Sequence, residues 1–293
     1  MEKVVRKMTK KIIIEEIEEN CEIKSPSPIE NLRPSSEELK KIKNYFNENF
    51  SSIIYSLLSF LTKDDVEKIF KVLKKENKLK EPYNSLEKIE IAEAIFLTED
   101  DTKRETIINF LIDKYAEEQK RNFIVNLVAV IDHYMHELII WGIVQITQNK
   151  FPLGKKYNEF SINICFLKDH FEKGEIDENY LKVEIITRLS KETYQKWNKI
   201  KEALWYILPN HICEKIASLT SSTGAIFQVE NYNKIVEKRN VIVHCFDRNI
   251  KKNSIRNTCN SNCGESFNLI KKVIESIHGI VEEYDESQPE NLT

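Results

Sequence analysis

Asn122–Thr147 reads NFIVNLVAVIDHYMHELIIWGIVQIT. Phe123, Ile124, Leu127, Val128, Ile131, Tyr134, Leu138, Ile139 and Trp141 recur at helical spacing, and the segment is apolar nearly all round. A helix with no water-facing side belongs at the centre of a bundle. Its longest apolar run, Leu138–Ile146, is about half the roughly 18 residues that a membrane span requires.

Composition extends that reading to the whole chain. Only 6 Gly and 7 Pro occur in 293 residues, too few for the many turns of a sheet or barrel, while 31% of residues are charged. An all-α fold is expected. With 44 Lys+Arg against 47 Asp+Glu the net charge is −3, which excludes a basic footprint over the whole protein. The six cysteines (21, 165, 213, 245, 259, 263) are scattered, as reduced thiols are, and the charged N-terminus lacks the apolar core of a signal peptide. Both point to a cytoplasmic protein with no membrane partner.

Outward from the central segment, the start signals and apolar stripes mark further helices. Ser25-Pro26-Ser27-Pro28 through Pro34 is a linker, preceded by charged and apolar blocks around Ile12–Ile14 that suit a short helix or an edge strand equally. Ser35 with Glu38 forms a capping box for a helix carrying Leu39, Ile42, Tyr45, Phe46 and Phe50. Thr62 with Asp65, Asn84 with Glu87, and Asp100 or Asp101 open three more. These aromatic and aliphatic stripes are core, although a partner-binding surface would give the same pattern. Beyond the central helix, a loop with a short strand or helix at Ile162–Leu167 is expected, then one amphipathic stretch over Tyr180–Ile207. A helix from Pro209, one over Ile226–Phe246, a polar loop over Lys251–Gly264 and a last helix over Phe267–Tyr284 complete the order. The end of the chain, from Glu282, is acidic and expected to lie outside the fold.

One segment differs from this helical background: Glu237-Lys238-Arg239-Asn240-Val241-Ile242-Val243-His244. On a helix, Asn240 and His244 share a face, which allows the amide to orient the ring. Arg239 reaches toward the same cleft while Val241, Ile242 and Val243 anchor the turn. Imidazole exchanges protons near neutral pH, and guanidinium offers a planar fork of donors to a phosphate. Together they suit RNA cleavage, in which the ribose 2′-OH is the nucleophile and no metal is needed. Basic residues cluster here: Lys234, Lys238, Arg239, Arg248, Lys251, Lys252 and Arg256 face only Glu237 and Asp247. Of these, Lys238, Arg248, Lys251, Lys252 and Arg256 are the candidate RNA-backbone ligands.

Two other clusters carry less. Asp132, His133, His136 and Glu137 put four possible metal ligands on one helix, but a bundle metal site would need matching Glu-x-x-His pairs on several other helices, and packing or support for another site is the preferred reading. Cys259 and Cys263 have a spacing that fits no zinc module. Neither a metal nor another cofactor is expected, and the lack of a Gly-rich phosphate loop implies no nucleotide hydrolysis.

The Arg239-Asn240-x-x-x-His244 pattern, late in a helical chain, resembles the signature of HEPN domains. The resemblance covers roughly residues 118–285, with the apolar helix bearing Asp132 and Glu137 first and the Trp197/Trp205 helix next. It implies a helical bundle that dimerises so that two motifs form one composite site. It also implies a metal-independent endoribonuclease of a toxin, abortive-infection or other antiviral system. Arg239 would bind phosphate, His244 would be the acid/base, and Asn240 would orient the site. Asp132, or else Glu137, would be a supporting acid. An antitoxin or sensor protein would be a partner. Other readings are a non-catalytic HEPN module that binds RNA, a nucleotide or a protein, and a purely structural adaptor. The organisation expected is a segment and linker over 1–34, a helical region over 35–117, the HEPN-like bundle over 118–285 and an acidic tail over 286–293.

Overall fold

A computed structural model of the protein describes residues 36–59, 61–74, 88–115, 117–148, 150–161, 178–220, 226–245, 248–249, 254–255 and 262–288. The fold is all-α, as composition predicts. The described helices are α1 (Glu37–Leu58), α2 (Lys63–Lys74), α3 (Lys88–Phe96), α4 (Asp101–Asp113) and α5 (Glu117–Thr147). They continue with α6 (Glu178–Leu189), α7 (Trp197–Ile207), α8 (Asn210–Ser218), α9 (Val229–Cys245) and α10 (Cys263–Glu286). A 3-10 turn covers Tyr157–Glu159, and Arg248–Asn249 pairs antiparallel with Ser254–Ile255.

Helix starts follow local chemistry. The Thr62 hydroxyl donates to Asp65 Oδ2 (2.7 Å) and accepts from the Asp65 amide, which closes the first turn of α2. Asp100 accepts from the amides of Thr102 and Lys103 at the head of α4, and Asn262 accepts from the Glu265 amide at the head of α10. At α1 the cap is Ser36 rather than Ser35: its hydroxyl accepts from the Leu39 amide. Pro209 sits at the head of α8, where a missing N–H is harmless.

Helix α5 is the axis. Helices α1, α6, α7, α9 and α10 all pack directly against it, and more than half of its most apolar stretch is buried. By length and composition alone this helix is long and apolar enough to cross a membrane. At Gly142 the approach of α7 is so close that a Cβ would lie 2.6 Å from Ile207, so a side chain there would push α7 away.

The division expected near residue 117 is not a break in the core. Helix α4 lies along α10 and α1 lies along α5. Phe46 and Phe50 of α1, Phe96 of α3, Phe123 of α5 and Phe267 of α10 form one aromatic cluster, with Phe50 and Phe267 edge-on at 4.8 Å. Arg104, buried on α4, donates to the Thr98 carbonyl, to Asp101 and to Asn268 of α10, which locks the two halves together.

Three further expectations are corrected. Tyr180–Ile207 is two helices, because residues 190–196 are drawn away by the Asp132 carboxylate and by Tyr232. The polar stretch over Lys251–Gly264 contains a short strand, and its last two residues, Cys263 and Gly264, are buried in the first turn of α10. Glu282–Glu286 is helical rather than outside the fold: Asp285 is fully buried and accepts from the Ser36 amide at 2.8 Å. Residues 1–34, Asn84 and Glu87, Ile162–Leu167 and 289–293 lie outside the described residues.

Candidate functional site

The motif lies in the last two turns of α9. That helix is fixed at its start by Phe227, which packs edge-on against Trp197 at 4.9 Å, and by Tyr232, whose hydroxyl donates to the Gln195 carbonyl at 2.5 Å. Burial, with the Asp132 charge adding to it, pushes the Tyr232 phenol far above its ordinary pKa, so it acts as a neutral donor.

Tyr232, Ile235, Val236 and Ile242 form the buried stripe of α9. Arg239 falls on this stripe, three or four residues from Ile235, Val236 and Ile242. Its Nη1 donates to Asn240 Oδ1 at 3.1 Å, and its Nε is enclosed with no hydrogen-bond partner. Of the three β-branched residues expected to anchor the turn, only Ile242 is buried; Val241 is half-buried and Val243 is 40% exposed. His244 is exposed in the final turn. The expected Asn240–His244 hydrogen bond is replaced by the Arg239–Asn240 bond. The amide therefore orients the guanidinium, and His244 has no hydrogen bond among the described residues.

Five residues along a helix separate Arg239 from His244 by about 7.5 Å of rise and about 140° of rotation. In one chain these groups do not converge on a single atom. They present a half-buried, oriented cation and an exposed imidazole on neighbouring edges of one helix end.

The acidic candidates do not join them. Asp132 Oδ1 accepts from the Tyr194 amide at 2.6 Å and Oδ2 accepts from Gln195 Nε2 at 2.9 Å. Its charge is felt at Tyr232, two turns and about 10 Å before Arg239. Asp132 is thus a fastener for the α6–α7 connection. Glu137 lines a cavity between α1, α5 and α6. His136, between the carbonyls of Asp132 and Leu189, is held against the Tyr194 ring at 4.8 Å. Among the described residues no group of three His, Cys, Asp or Glu side chains is arranged to hold a metal ion. Cys263 is buried in the first turn of α10, and Cys259 lies outside the described residues.

Lys238 is half-buried and, with Lys234, Asn262 and Glu265, lines a groove of about 290 Å³ between α9 and the start of α10. The backbone of Arg248 enters the strand pair beside α9. Lys251, Lys252 and Arg256 lie outside the described residues.

What sequence reasoning missed is the cavity on the α1 side of α5. Tyr45 and Ile186 border it and are exposed, although Tyr45, at helical spacing on α1, reads as core. No family model matches the chain, and neither a curated protein nor a solved structure matches it. The HEPN resemblance therefore rests on Arg239, Asn240 and His244 and on their helical setting.

Proposed function

We propose that this chain is a metal-independent endoribonuclease of the HEPN type, acting as a homodimer in the cytoplasm as a defence or toxin effector. Arg239 carries the reading. It is a cation on the buried stripe of α9, its Nε enclosed and unpaired, its Nη1 bound to Asn240, a turn and a half before an exposed His244. A residue kept for packing alone would be apolar there, because an enclosed donor without a partner costs about 1–3 kcal/mol. A cation held in one orientation at that cost suits the binding of a phosphate.

In the reaction the ribose 2′-oxygen attacks its own phosphorus. The P–O2′ bond forms, the P–O5′ bond breaks, and a 2′,3′-cyclic phosphate and a 5′-OH result. One imidazole accepts the 2′-OH proton and the other supplies a proton to the leaving 5′-oxygen. The guanidinium neutralises the charge that grows on the phosphorane. One chain separates its cation and imidazole around the helix, so a second α9 across a two-fold axis supplies the complementary pair. DNA lacks the nucleophile and is spared. Arg248, Lys251, Lys252 and Arg256 hold the RNA backbone.

The test is incubation of the purified dimer, and of the His244→Ala protein beside it, with cellular RNA in EDTA, followed by mapping of fragment ends. Cleavage by the wild type alone, with cyclic phosphate ends, supports the reading. Equal cleavage by both proteins removes the Arg239/His244 assignment, and none by a folded dimer favours a restrained toxin or a binding module.

A further inference from the structure

Two adjoining cavities run along the flank of α5 that faces α1. The first, about 490 Å³, opens where α1, α5 and α6 meet. Ile42, Ile140, Trp141, Val144 and Ile186 give it an apolar floor, and Glu38, Lys41, Glu137 and Lys182 bring both signs of charge to it. The second, about 430 Å³, continues between α1 and α5 and shares Tyr45 and His133 with the first. Those two rings meet edge-on at 5.1 Å.

The apolar groups beside this groove are left in water. Tyr45 is 49% exposed and Ile186 50%. On α6, Leu181, Ile185 and Leu189 are buried against α5, while Tyr180, Val183 and Ile186 form a second apolar row that stays exposed. A helix with apolar residues on two sides has two neighbours to cover.

We infer that the chain's own N-terminal segment occupies this groove, with Ile12–Ile14 on the apolar floor. The point of entry supports it first. The Ser36 hydroxyl accepts from Trp141 Nε1 (3.2 Å) and its amide donates to Asp285, so the chain joins the fold at the wall of the first cavity. Residues 1–35 all depart from that point. Reach supports it next. Residues 25–35 can span up to roughly 35 Å, more than the roughly 27 Å of α1 that borders the two cavities. Chemistry supports it last. Lys10-Lys11-Ile12-Ile13-Ile14-Glu15-Glu16 sets an apolar block between two cations and two anions. The groove offers an apolar floor with Glu38 and Glu137, and with Lys41 and Lys182. Tethering gives an effective concentration in the millimolar range, so a weak groove suffices. A second copy of the chain would have to lose its translational and rotational freedom to dock there. The inference is independent of the ribonuclease reading, since α9 takes no part in the groove.

The test uses the full chain with a photoreactive phenylalanine analogue in place of Tyr45 or of Val183, irradiated at dilution. The expected result is cross-linking within one chain to peptides from residues 1–24. The full chain carrying Ile12→Glu, Ile13→Glu and Ile14→Glu should lose about tenfold in that yield, with unchanged circular dichroism. Amide exchange of Leu181–Leu189 should quicken about tenfold in the same variant. Cross-links between two chains would overturn the inference and make the flank a homotypic interface. Absence of cross-links to residues 1–24, or a yield and an exchange rate indifferent to the three substitutions, would also overturn it.

Discussion

Helices α5 and α9 pack side by side and treat their polar residues in opposite ways. On α5 both oxygens of Asp132 are taken by the α6–α7 connection, His136 is held between two carbonyls, and the Tyr134 hydroxyl meets His278 Nδ1 at 3.2 Å. On the last turns of α9, Arg239 bonds only its neighbour Asn240 among the described residues, and His244 is exposed with no hydrogen bond. A polar group whose partners are all internal is committed to architecture. One that the fold leaves unsatisfied is free to meet something else.

That contrast is broken or sharpened first at His244. His244→Ala should lower RNA cleavage about a thousandfold and leave the unfolding free energy within about 0.5 kcal/mol of wild type. Asp132→Ala should do the reverse. Two donors, the Tyr194 amide and the Gln195 amide group, lose a charged acceptor, and stability should fall by about 3 kcal/mol. Urea unfolding reads that loss, and cleavage per folded molecule should stay near the wild-type rate. If His244→Ala destabilises as much as Asp132→Ala, the two helices do not differ as described.

A third, smaller effect comes from His278, buried on α10 against Tyr134. Burial lowers its pKa to about 4, with Lys43 acting in the same direction and Glu282 against it. Unfolded, the ring titrates near 6.5. Between those values the unfolded chain binds the proton and the folded chain does not. Stability is therefore complete above about pH 6.5 and declines as the pH falls toward 4, by roughly 2–3 kcal/mol. Urea midpoints measured from pH 7 to 4.5 should show that decline, and His278→Leu should flatten it. A wild-type profile as flat as the variant's would mean that the ring is solvated.

Much of the fold was legible because helix-forming signals are local. The all-round apolarity of Asn122–Thr147 placed the central helix, and Thr62 and Asp100 marked their helix starts. The errors share one physical cause, since they occur where a distant group overrides the local pattern. Residues 180–207 read as one amphipathic helix, and the Asp132 carboxylate, more than sixty positions away, and the Tyr232 hydroxyl show why it breaks. Asp285 reads as an acidic tail, and only the Ser36 amide shows why it is buried. At the motif, the residue types were readable and their arrangement was not. Asn240 and His244 share a face by spacing, yet the amide turned to Arg239, because a guanidinium one residue away is the stronger donor. Tyr45 could not be told from core, because the rule that places apolar residues at helical spacing is silent about which neighbour covers them.

The smallest expected effect discriminates most sharply between the two helices. Arg239→Met keeps the length of the stem on the buried stripe, removes the enclosed Nε, and replaces a cation by a side chain that suits Ile235, Val236 and Ile242. Replacing an imperfectly paired, half-buried charge by an apolar group of similar size is often neutral or stabilising. The variant should gain about 0.5–1 kcal/mol, a rise of about 2 °C in Tm, and should lose ribonuclease activity. A calorimetric scan beside the EDTA cleavage assay reads both. A gain in stability together with loss of cleavage identifies Arg239 as a residue kept for chemistry against the preference of the fold. A loss of stability comparable to that of Asp132→Ala would mean that Arg239 is an architectural residue, and that α9 holds its polar groups on the same terms as α5.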